Sequence, residues 1–219
     1  MMRYNCLFFD LDGTLTESGP GITRSAAWAL EQMGVPVGDP ALLRRFVGPP
    51  LSDTFQNCYH VPEERVAEAI RLYRVCYNQM GGIFESPPYP GIVPLLEELR
   101  RRGNKLLVAT SKPLPMAERV LEHWQLTGYF DHICGGTLDE RGCKKELVVA
   151  QALERCGVDP DRVLMVGDRE HDVLGAHANG IACAGVLWGY GSEAELTAAG
   201  AEYLVREARE LLTLGEGAF

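Results

Sequence analysis

The feature that most constrains this chain is a set of short, unbroken apolar runs, each closed by a polar cluster. Leu7-Phe8-Phe9 ends at Asp10, and Leu106-Leu107-Val108-Ala109 ends at Thr110-Ser111-Lys112. Val163-Leu164-Met165-Val166 ends at Gly167-Asp168, and Ala184-Gly185-Val186-Leu187 ends at Trp188-Gly189. A strand with one wet face alternates apolar and polar residues. Runs that are apolar at every position need cover on both faces, as strands in a parallel sheet have. Helical spacing fills the intervals. Ile92, Leu95, Leu96 and Leu99 recur at i, i+3, i+4, i+7 before Gly103. Ala117, Val120, Leu121 and Trp124 repeat that spacing behind Pro115, as do Val149, Ala152, Leu153 and Cys156 before Gly157. From about residue 90 strand and helix alternate, which predicts a doubly wound, mostly parallel, Rossmann-like α/β sheet.

Residues 17–84 break the alternation. Ile22, Ala26, Ala29, Leu30 and Met33 read as a helix ending at Gly34, and Glu63 to Met80 is helical in character. Between them Pro36, Pro40, Gly48, Pro49, Pro50 and Pro62 punctuate short segments. The expected organisation is a sheet core of 1–16 plus 85–219, with an α-helical cap inserted at 17–84.

The 219 residues carry a net charge of −9. That balance argues against nucleic acid as a partner, which requires a basic face, and against an anionic membrane surface. No run approaches the ~18 apolar residues of a membrane span. The seven cysteines are scattered and lack C-x-x-C spacing, so neither a disulfide framework nor a zinc site is favoured, and a cytoplasmic location is expected. P-loop, full G-x-G-x-x-G and G-x-S-x-G signatures are absent from the sequence.

Open α/β sheets bind ligands beyond the carboxyl ends of their strands. Those ends carry Asp10 and Asp12, then Thr110, then Asp168 and Asp172. Carboxylates gathered at ~4 Å repel by about 1 kcal/mol per pair in water and about 4 at an effective dielectric of 20. Such a cluster calls for a hard divalent cation, and carboxylates with retained waters suit Mg²⁺. Asp12, two residues past Asp10, returns to the same side if the strand continues. Lys145 shares a helix face with Val148, Val149 and Ala152, while Lys144 shares a more mixed face with Leu147, Val148 and Gln151. Lys145 is therefore the preferred active lysine and Lys144 its rival.

Asp10-Leu11-Asp12-Gly13-Thr14-Leu15 resembles the D-x-D-G-T-[LV] motif of the haloacid dehalogenase superfamily. Thr110, the lysine near 145 and Gly167-Asp168-x-x-x-Asp172 follow in the family's order over nearly the whole chain. The chain looks similar to capped members of the phosphoglycolate phosphatase and bacterial 5′-nucleotidase kind. The resemblance implies a Mg²⁺-dependent phosphatase acting on a small-molecule phosphate ester. It implies Asp10 as nucleophile, Asp12 as acid and base, and Thr110 and Lys145 as catalytic partners. Ser111, Gly13 and Thr14 would bind phosphate, and Asp10, Asp12, Asp168 and Asp172 would hold the metal, with Asp12 contributing its backbone carbonyl. It implies a cap that closes over substrate. A phosphomutase of the β-phosphoglucomutase type would use the same core. A dehalogenase would lack the acid at Asp12, and an inactive module would lack motif residues.

Overall fold

A computed structural model describes residues 3–138 and 142–214. The chain divides into two compact units, one holding residues up to Thr16 and from Pro88 onward, the other Glu17–Pro87. The division at 87/88 falls three residues beyond the expected 84/85. The reason is local. Ser86 Oγ donates to the Ile83 carbonyl at 2.8 Å, and Arg24 pairs with Glu85 at 2.8 Å, so residues 85–87 stay with the inserted unit.

In chain order the elements are β1 (Cys6–Phe9), α1 (Gly19–Gln32), α2 (Pro40–Leu43), α3 (Leu51–Tyr59), α4 (Glu63–Gln79) and α5 (Ile92–Arg101). They continue with β2 (Lys105–Pro113), α6 (Leu114–His123), β3 (His132–Gly136), α7 (Lys145–Cys156) and β4 (Val163–Gly167). The last are α8 (Glu170–Ala178), β5 (Ala182–Val186), α9 (Glu193–Ala199) and β6 (Tyr203–Val205).

The six strands form one sheet in the order β3-β2-β1-β4-β5-β6, with every pairing parallel. As the unbroken apolar runs require, both faces are covered. Cys6, Phe8, Leu107, Ala109, Val163, Met165 and Cys183 join a core cluster with residues of α7 and α8, while the alternate residues Leu7, Phe9, Leu106, Val108, Leu164 and Val166 are equally buried. Burying one Leu or Phe side chain stabilises by ~1.5–3 kcal/mol. β1 lies at the centre, where the strand order reverses, and α/β sheets place their ligands at such a point.

The inserted unit, described by itself, packs α1 along α4. α1 also approaches the turn that follows α4 closely at Gly21, where a Cβ would strike the Gly82 carbonyl. Phe46 and Phe55 meet edge to face with centroids 4.8 Å apart, and Tyr73 stacks on Tyr77 at 5.4 Å. Among the described residues no helix is long and apolar enough to cross a membrane.

Candidate active site

The register sets the site. Phe9 lies level with Val108 on one side and Val166 on the other, so the residues just past these strands come together. Asp10 follows β1 directly, and its N–H donates to the Val166 carbonyl at 2.9 Å. Asp168 follows β4. Asp172 stands in the first turn of α8, where its Oδ2 accepts from the Arg169 N–H at 3.1 Å and caps the helix. One carboxylate oxygen of each of Asp10, Asp168 and Asp172 lies within 4.8 Å of the others, and all three residues are buried.

Lys145 opens α7 and is buried among them. Its Nζ stands 2.8 Å from Asp10 Oδ1 and 2.8 Å from Asp172 Oδ1, and donates to the Ala109 carbonyl at 3.1 Å. Lys144 precedes it on the exposed rim. Of the two candidate lysines, only Lys145 is placed against the carboxylates.

Three carboxylates against one ammonium leave two formal negative charges in a desolvated pocket. The protein's own groups answer that imbalance with protons. Burial pushes Asp10 up to about 6; the neighbouring Asp172 carboxylate adds to the rise, while Lys145 holds it back. Burial, with Asp172 and Asp10 close by, pushes Asp168 up to about 8. Burial alone would lower Lys145, but the two carboxylates more than reverse it and keep the ammonium charged. Asp10 Oδ1 and Asp172 Oδ1 are sealed from solvent, each facing the Lys145 ammonium at 2.8 Å. An all-oxygen pocket that keeps a formal double negative charge after Lys145 is counted fits a hard divalent cation.

The fourth expected carboxylate stands apart. Asp12 is outside the cluster, held through both oxygens by Lys112 Nζ at 2.9 and 2.8 Å. The same-side argument for Asp10 and Asp12 also fails, because β1 stops at Phe9 and the chain turns. β2, in contrast, runs on through Thr110-Ser111-Lys112 to Pro113, with a register shift against β3. That extension carries Lys112 inward to 5% side-chain exposure. The sequence reading missed this lysine, since its partner lies a hundred residues away.

The remaining candidates are close by. Thr110 is buried, its Oγ1 accepting from the Lys112 N–H at 3.2 Å, and Ser111 is half-buried beside it. Thr14, expected on phosphate, uses its hydroxyl to donate to Asp168 Oδ1 at 3.2 Å. Gly13 sits at φ +92°, where L side chains are strained, and a Cβ there would strike the Asp168 carboxylate. Both residues support Asp168.

The model of the haloacid dehalogenase-like hydrolases matches residues 7–186. A 5′-nucleotidase of Pseudomonas aeruginosa is 43% identical over 197 residues, covering 90% of this chain and 89% of that protein. A tyrosine-protein kinase of Mycobacterium tuberculosis, PtkA, is 44% identical over 186 residues, covering 84% of this chain but 62% of that longer protein. A solved structure from Clostridium acetobutylicum, described as a predicted phosphatase, superposes with a TM-score of 0.89 at 44% identity, covering 95% of this chain and 96% of the other.

Proposed function

The chain belongs to the haloacid dehalogenase-like hydrolases and is a phosphatase, and from that premise we propose that it hydrolyses a small phosphomonoester, with 5′-nucleotides the leading candidates, through a phosphoaspartate on Asp10. The observation that carries this reading is the gathering of Asp10, Asp168 and Asp172, with Lys145 paired to Asp10 and Asp172 and with Asp12 held separately by a second lysine. Asp10, Asp168 and Asp172 would hold Mg²⁺, which when bound neutralises phosphoryl oxygens and lets an anion approach an anion.

This chain's residues then divide the work. An Asp10 oxygen attacks phosphorus in line as the ester P–O bond breaks. Asp12 leaves the Lys112 ammonium and takes up a solvent proton, gives it to the leaving oxygen, and later takes one from water, whose oxygen attacks the phosphoaspartate and frees Asp10 and inorganic phosphate. Lys145 balances charge on Asp10 and the phosphoryl group. Thr110 and Ser111 offer hydroxyls to its oxygens. The nucleotide preference rests on the relative at 43% identity.

The test is phosphate release from 5′-nucleotides, phosphoglycolate, pyrophosphate and sugar phosphates, with and without Mg²⁺, beside Asp10→Asn. Release should need both Mg²⁺ and Asp10, and acid-quenched protein should gain one phosphoryl group that the variant lacks. Absence of release, with sugar-phosphate isomerisation under a bisphosphate primer, would move the reading to a phosphomutase. The kinase-named relative brings one further alternative. Labelled γ-phosphate of ATP recovered on a tyrosyl peptide, rather than as free phosphate, would favour it.

A further inference from the structure

The loop from β5 to α9 touches the carboxylate cluster from two directions. Trp188 Nε1 donates to the Thr14 carbonyl at 3.0 Å, and the Tyr190 N–H donates to Asp168 Oδ2 at 2.8 Å. Thr14 Oγ1 reaches the other oxygen of the same carboxylate at 3.2 Å. Asp168 is thus held at both oxygens by two loops, and the indole ties those loops together. The approach is so close that a Cβ on Gly189 would strike the Asp168 side chain, and one on Gly191 the Asp168 carbonyl. The end of this loop and the first turn of α9 reach Asp172 by relay. Ser192 caps Glu195 at 3.1 Å, and Glu195 Oε1 accepts from Arg169 Nε at 2.8 Å and the Glu170 N–H at 3.0 Å. The Arg169 N–H donates to Asp172 Oδ2 at 3.1 Å.

We propose that Trp188–Glu195 is a positioning clamp for the cation site, holding Asp168 directly and Asp172 through Arg169 in the ligating arrangement before a cation arrives. Trp188 and Glu195 act through other residues and touch no reacting atom. Partners of metal ligands generally act this way, fixing orientation in advance so that binding need not order the site, and their loss typically costs 10–100-fold in metal affinity. The clamp rests on the cation reading above.

Binding of Mn²⁺ to substrate-free protein, followed by the electron paramagnetic resonance of the free ion, tests it without turnover. Trp188→Phe keeps the ring and removes the donor; Glu195→Gln keeps the shape and removes the charge. Each is expected to bind Mn²⁺ about tenfold more weakly. Turnover by both variants should recover when the cation is raised, which a merely loosened fold would not show. Wild-type affinity in both variants overturns the clamp, provided that Asp168→Asn loses Mn²⁺. If Trp188→Phe does not fold, Glu195→Gln decides alone. Wild-type protein that takes up no Mn²⁺ overturns the cation reading and the clamp with it.

Discussion

Asp168 illustrates how little a residue's type says about its state. Its carboxyl is pushed up to about 8 by burial and by Asp172 and Asp10, while Asp10 rises to about 6, both from an ordinary value of 3.8. An acid whose folded value is raised stabilises the fold fully below its unfolded value and loses that contribution as pH rises through the folded one. Metal-free protein should therefore lose Tm from about pH 4 to about pH 8, more steeply below pH 6 where both carboxyls titrate, and saturating Mg²⁺ should flatten the loss. Calorimetry in a chelator and in Mg²⁺ decides; a metal-free Tm that holds or climbs over that range defeats the prediction. Asp10 and Asp168 were legible in the sequence because each closes an apolar run. Lys112 was not, because its partner is set by how far β2 continues, and a polar T-S-K cluster gives no sign that a strand runs through it.

At the level of elements, α7 and α8 show two preferences in conflict. Gly175 lies inside α8, where Ala would be favoured by ~1 kcal/mol. A Cβ there would come within 2.6 Å of Lys145 Cγ and 3.0 Å of its backbone carbonyl carbon. Overpacking of that kind costs ~1–3 kcal/mol, so Gly175→Ala should destabilise by up to about 2 kcal/mol net and displace the Lys145 ammonium. Urea titration of the variant checks it, and a variant more stable than wild type would refute the argument. The strands and helices visible in the sequence were those with continuous apolar runs or a strong helical stripe. β3 escaped notice because His-Ile-Cys-Gly-Gly offers two apolar side chains and two residues that weaken strands. β6 spans only three residues at the sheet edge. α3 was hidden between prolines, with Pro50 at its N-cap.

For the molecule as a whole, Asp10, Asp12, Lys112, Lys145, Asp168, Asp172 and all six strands belong to one unit. The two points where the chain leaves and re-enters it are already side by side, with Thr16 bridged to Pro88 and the Tyr89 N–H donating to the Leu15 carbonyl at 3.0 Å. Replacing 17–87 by a short Gly-Ser bridge should leave a folded sheet that still binds Mn²⁺. Circular dichroism and the resonance titration read the outcome, and loss of either the fold or the binding would show that the site depends on the inserted unit.

The central place of β1 has a consequence for the order in which the chain is built. Cys6–Phe9 are synthesised well before their neighbours in the sheet, which begin at Lys105 and Val163. That strand must therefore wait, unpaired, for about a hundred residues until β2 is made, and longer still for β4 on its other edge. The inserted helices, whose contacts are local, can condense during that wait. Nascent-chain length, rather than the strength of any one contact, then sets when the phosphatase sheet can first close.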